Sequence, residues 1–138
     1  MKRFVLLVAM AGIVACGTKE KSITDTTVSV AGAYTLQSVN NDPVPSDYND
    51  AGTMVVISAG TATLNSNGTF TYSETRSTGA DVTTGTYTKT GDTYTLVPDA
   101  KPGEGPQTNG IATFTADGTM TLTVQESAQT TVRVLQKN

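Results

Sequence analysis

The chain contains no histidine and a single cysteine in 138 residues. Without histidine it lacks the commonest general base and metal ligand of neutral pH. With one cysteine, no intrachain disulfide can form. Catalysis would have to rest on a carboxylate pair or an activated serine or threonine. Glu74 and Asp81, which flank a hairpin, read instead as a solvated rim, and the sequence points to no enzyme and no cofactor. Charge is also scarce, at 15% of residues, which argues against a disordered chain.

What the chain does have is threonine and glycine in a regular pattern. From Gly60 to Leu96, apolar residues recur with period two. Ala62 and Leu64, Phe70 and Tyr72, Gly85 and Tyr87, and Tyr94 and Leu96 each alternate with threonines. This is the pattern of strands with one buried and one wet face. Threonine suits the wet face because its β-branch fits the pleat while its hydroxyl meets water.

The turns can be tested against that parity. A two-residue Asn67-Gly68 turn would place Leu64 and Phe70 on opposite faces, which a one-sided sheet cannot accept. A three-residue loop, Ser66-Asn67-Gly68, pairs Leu64 with Phe70 and Ala62 with Tyr72, and puts Gly68 at the left-handed position of a type I turn with a bulge. At Gly91-Asp92 a two-residue turn pairs Tyr87 with Leu96, with glycine where type II′ wants it. Phe114 to Met120 repeats the three-residue layout, pairing Phe114 with Met120 and Ala112 with Leu122. Either an old duplication or common loop chemistry accounts for the repeat.

The N-terminus is of another kind. Met1-Lys2-Arg3 is basic, and Phe4 to Val14 is an apolar run of signal-peptide length, too short to span a bilayer. It ends in Ile13-Val14-Ala15-Cys16, which resembles the lipobox of bacterial lipoproteins. The resemblance implies removal of residues 1–15 and acylation of Cys16 by diacylglycerol and, at its new amine, a fatty acid such as palmitate. Paired chains anchor stably where one would not. An ordinary secretory signal with an incidental cysteine is the alternative. Gly17 is not the aspartate that, by the same resemblance, retains such proteins in the inner membrane, so a Gram-negative host would carry this one in its outer membrane. Loss of Lys2 and Arg3 leaves seven basic against twelve acidic residues. That balance disfavours nucleic acid as a partner.

Residues 16–30 read as a flexible tether and 31–138 as the folded domain. Ala31 to Val39 is the first strand. Asn40 to Gly52 is a long loop whose Pro43 and Pro45 forbid a central strand. Met54 to Ile57 reads as a strand covered on both sides, and Ser58-Ala59-Gly60 as a turn. Arg76 to Asp81 and Pro98 to Thr108 read as open loops. Eight or nine strands on short turns, wet on one face, are better closed than left with bare edges. The expected fold is all-β, an up-and-down antiparallel barrel, with a sandwich as the alternative.

The runs AGAYTLQSV, GTATLNSNGTFTYS, GTYTKTGDTYTL and TFTADGTMTLTV resemble the lipocalin-like (calycin-like) domains of bacterial lipoproteins. Tyr34 stands where that family has tryptophan, and Asn67 where it commonly has aspartate. The resemblance implies a barrel closed at its base by Tyr34 with Arg133 of the last strand packed over it. Strand parity argues against this unless a bulge intervenes, since it sets Arg133 opposite Val132 and Val134. The resemblance also implies that Asn40–Gly52 lids the barrel mouth.

The inward set of Tyr34, Leu36, Phe70, Tyr72, Tyr87, Tyr94, Phe114, Met120 and Leu122 is the candidate lining for a small hydrophobic ligand. Ala62, Gly85 and Ala112 would leave it room, and tyrosine hydroxyls would give it polar contacts. Alternatively, large and small residues interdigitate into a solid core, and the rim loops meet an envelope protein. Asp42, Asp47, Asn49 and Asp50 are oxygen ligands suited to calcium but lack EF-hand spacing. They are also ordinary turn formers, and no metal site is assigned.

Overall fold

The computed structural model describes residues 29–50, 52–126 and 129–138. The leader and Cys16 lie outside them, as does the tether up to residue 28.

The alternating pattern folds into ten antiparallel strands. β1 (Gly32–Val39) leads to two short strands, β2 (Asp42–Pro43) and β3 (Ser46–Asp50). A meander follows, made of β4 (Thr53–Leu64), β5 (Thr69–Arg76), β6 (Gly79–Thr90) and β7 (Thr93–Pro98). β8 (Gly110–Phe114), β9 (Thr119–Glu126) and β10 (Gln129–Lys137) complete the sheet. β1 pairs with β10 on one side and, through Gly32–Thr35, with the end of β4 on the other. Those two ladders close β1 and β4–β10 into an eight-stranded barrel, which excludes the sandwich. β2 and β3 are the flaring edges at one end. Pro43 sits on such an edge, where its missing N–H breaks no ladder.

The turn arithmetic holds. Leu64 faces Phe70, Ala62 faces Tyr72, Tyr87 faces Leu96 and Phe114 faces Met120. Gly68 and Gly118 take φ of 84° and 87° at the third position of matching loops, each N–H donating to the carbonyl three residues back. Side chains with a Cβ resist that conformation.

Four readings are corrected. Ser58-Ala59-Gly60 is not a turn. β4 runs straight through it, with a bulge between Ile57 and Ala59, so Ser58 and Ala59 both face water. Met54 to Ile57 is covered on one face only, with Val55 and Ile57 buried and Met54 and Val56 exposed. Arg76 to Asp81 is not an open loop, because β5 and β6 pair as far as Arg76–Gly79 around Ser77-Thr78. Asn40–Gly52 is not simply a loop, since it holds β2 and β3.

The barrel has a filled base and a looser mouth. The base carries the tight turns at 65–68, 91–92 and 115–118. Tyr34, Tyr94 and Phe114 meet there edge to face, at 5.8 Å (Tyr34–Phe114) and 4.9 Å (Tyr94–Phe114), a geometry that favours aromatic pairs. Leu64, Met120 and Leu135 fill the remaining space and are all but inaccessible. The mouth carries the 77–78 turn and the 99–109 connection. Apolar inside with threonine outside is the reverse of a membrane-spanning barrel.

Candidate functional site

Two features share the mouth half of the barrel: a buried ionic network and a cavity. The network follows from parity. On β5, Glu74 has the same parity as Phe70 and Tyr72, so its carboxylate points inward and is 1% exposed. On β10, Thr131, Arg133 and Leu135 point inward, and Val132 and Val134 face outward. Arg133 is 2% exposed. Its Nε donates to Glu74 Oε1 at 2.5 Å, one Nη to Thr131 Oγ1 at 2.7 Å and the other to Glu126 Oε1 at 2.9 Å. Glu74 also accepts from the Tyr72 hydroxyl at 2.5 Å and from Arg76. Arg76 continues to Asp81 at 3.0 Å, and Asp81 to Lys101 at 2.8 Å. The chain of pairs thus runs from the barrel interior to the 99–109 connection.

The neighbours set the protonation states. Burial pushes the Glu74 carboxyl up, but Arg133, the hydrogen bonds from Arg133 and Tyr72, and Arg76 together hold it below the usual range. Asp81 behaves alike: burial is outweighed by Lys101 and Arg76. Burial, reinforced by Glu74, drives the Tyr72 hydroxyl well above the ordinary tyrosine range. A buried charge is tolerated when it is paired and hydrogen-bonded.

The cavity has a volume of about 200 Å³. Phe70, Leu96, Leu122 and Val124 supply apolar walls, and Gly110 lies among them. Pro98, Pro106, Gln107 and Thr108 form its rim, the last three from the 99–109 connection. Tyr72, Thr83 and Glu126 add polar groups.

All nine side chains expected inside the barrel do face inward. Tyr34, Leu36, Phe70, Tyr94, Met120 and Leu122 are buried, and Tyr72, Tyr87 and Phe114 pack against them. Only Phe70, Tyr72 and Leu122 of the nine line the cavity. The others build the solid part of the core. Ala62, Gly85 and Ala112 open no space, because neighbours fill it: a Cβ on Gly85 would lie 2.1 Å from the Val97 carbonyl oxygen.

Tyr34 and Arg133 do not meet. The cation over the Tyr34 ring is Lys137 Nζ, 6.0 Å from its centroid, while Arg133 lies over Tyr72 and Tyr48. The two positions sit at different heights on β10: Lys137 is paired with Tyr34, and Arg133 with Val39. Among the described residues of the 40–52 segment, none lines the cavity. The segment's Tyr48 is buried beside Arg133 and fills the neighbouring part of the lumen. Among the described residues, no three histidine, cysteine or acidic side chains gather to hold a metal ion, so Asp42, Asp47 and Asp50 do not converge.

Glu74, Glu126 and Thr131 are the members that residue-by-residue hydropathy missed. Strand parity carried the signal for the two glutamates, which fall on the inner register of β5 and β9; on β10 the expected parity is reversed, with Thr131 and Arg133 sharing the inner register of Leu135 and no bulge between β10 and β9. No family model matches the chain, and no curated protein matches it either.

Proposed function

We propose that this chain is a lipid-anchored protein of the bacterial cell envelope, non-enzymatic and lipocalin-like, whose barrel holds one small apolar molecule at its mouth. The observation that supports ligand binding is the cavity of about 200 Å³, with mostly apolar walls and a few polar groups. Sites for small molecules are built this way. The anchor rests on the sequence around Cys16, with the outer membrane as its place in a Gram-negative host. Against catalysis stands the pairing of the buried carboxylate Glu74 with two arginines.

Native mass spectrometry and hydrophobic-dye displacement on the full chain test the reading. Bound dye should be displaced by small apolar molecules, and Val124→Phe, which fills the cavity, should abolish dye uptake without lowering the melting temperature. Absence of dye uptake by the wild-type chain at any concentration overturns it.

The filled barrel base favours a second reading, a rigid module whose rim meets an envelope protein. Crosslinkers placed at Ser77 and Thr108 separate the two, because only the second reading expects a specific protein adduct there.

A further inference from the structure

We infer that the mouth cavity takes a molecule of single-ring size whose polar end donates hydrogen bonds, an amine before an alcohol, and that it rejects carboxylates. This rests on the small-molecule reading above and narrows it.

Size comes first. An apolar cavity of about 150 Å³ accommodates a benzene ring. At about 200 Å³ this one fits a ring with a short substituent. A long acyl chain, a sterol or a tetrapyrrole is too large to be enclosed by it.

The polar groups then fix the chemistry: Thr83 and Thr108 bring hydroxyls that donate or accept, and the other three present acceptors. Tyr72 spends its proton on Glu74, which leaves the phenolic oxygen's lone pairs for a ligand. Gln107 spends its amide nitrogen on Glu104 Oε2 at 2.9 Å and on the Gly105 carbonyl, leaving its amide oxygen. Glu126 is a carboxylate whose Oε1 receives Arg133 at 2.9 Å. A ligand that offers N–H or O–H finds partners here. One that offers only oxygen finds the Thr83 and Thr108 hydroxyls alone and leaves the three acceptors unmatched, which costs binding.

Charge points the same way. Among the described residues, Glu126 carries the one formal charge in the cavity wall. The nearby cation, Arg133, is enclosed behind it and engaged by Glu74, Thr131 and Glu126. A carboxylate ligand would face a carboxylate and would have to displace it to reach the guanidinium. An ammonium would gain a charge-assisted hydrogen bond.

The test uses four probes on the full chain: benzylamine, benzyl alcohol, toluene and benzoate. Binding is read from amide shifts of Gly110 and Val124 in heteronuclear NMR. Benzylamine should bind at least about tenfold more tightly than benzoate, with benzyl alcohol between them. Glu126→Gln should shrink the advantage of the amine over the alcohol to less than about twofold. If benzoate binds as tightly as benzylamine, or the advantage survives Glu126→Gln, the acceptor-lined site is wrong while a small-molecule pocket stands. If none of the four moves those amides, both readings fall. Should Glu126→Gln not fold, the wild-type ranking alone decides.

Discussion

Arg133 and Glu74 meet at 2.5 Å inside the barrel, both essentially sealed from water, from strands that are not neighbours in the sheet. The pair ties β10 to β5 across the lumen. Removing one member of a buried pair strands the other, at a cost of about 3–5 kcal/mol. Glu74→Leu should therefore lose about that much in urea unfolding. Combining it with Arg133→Met should recover most of the loss, since apolar replacement of a whole buried pair is often neutral or better. A double variant as unstable as Glu74→Leu alone would show that the pair's partners, not the pair, set the cost.

The same network fixes the response to acid. Glu74 and Asp81 have carboxyls held below their ordinary values of 4.5 and 3.8. As pH falls through those values, the unfolded chain takes up protons that the folded chain still refuses, so the unfolded state gains. Stability should be level above about pH 5 and fall progressively below it. On the alkaline side Tyr72, Tyr34 and Tyr87 are raised above 10.0, each chiefly by burial. There the unfolded chain loses protons first, so stability should fall again as pH rises past that value. With no histidine in the chain, no step is expected between about pH 5 and 8. Urea midpoints measured across pH would expose a neutral-range step, which this account does not allow.

The parts of the fold legible in the sequence are those where two local constraints agree. Leu64 and Phe70 had to share a face, and only a three-residue loop with glycine third allows it; the structure pairs them. The illegible parts are where one constraint is overridden from far away. At Ser58 the bulge resets the alternation, and a strand continuing through it reads as a turn ending in glycine. At β10, Val132 and Val134 look like the inner set by hydropathy. Arg133 takes the inner register because Glu74, 59 residues away, compensates its charge. Single-residue hydropathy cannot register a partner that distant. The cavity was illegible for a related reason: it depends on where residues 106–108 lie over β5–β9, not on the size of any one inward residue.

Gly85 is a packing position. A Cβ there would approach the Val97 carbonyl oxygen at 2.1 Å, Phe70 Cε1 at 2.7 Å and Pro98 Cα at 2.9 Å. Two of these three are backbone atoms and cannot swing away. Gly85→Ala should destabilise by about 1–3 kcal/mol, the usual range for overpacking. Gly105 in the 99–109 connection has nothing within 4 Å of its would-be Cβ, so Gly105→Ala should stay within about 0.5 kcal/mol of wild type. Thermal unfolding of both variants makes the comparison, and equal effects would contradict it.

The anchoring proposal has a direct test. Cys16→Ser removes the only thiol in the chain. The variant should take up no radiolabelled fatty acid in an exporting bacterial host and should leave the membrane fraction. A variant that still sediments with membranes would assign the attachment to something other than acylation.

The base of the barrel is closed from below by residues expected to be tether. The Tyr34 hydroxyl donates to the Val30 carbonyl at 2.7 Å, Val30 is itself buried, and Lys137 Nζ reaches the Ser29 carbonyl. The folded unit therefore includes Ser29 and Val30. A chain beginning at Ala31 loses the Val30 side chain from the core and leaves a buried tyrosine hydroxyl without its acceptor. Relative to a chain beginning at Ile23, it should be less stable by about 2–4 kcal/mol. The two contributions separate in a Tyr34→Phe background, where no hydroxyl is left to strand. There the truncation should cost about 1–2 kcal/mol less. Equal costs in both backgrounds would mean that Tyr34 draws nothing from the hydrogen bond and that Val30 contributes through apolar contact alone.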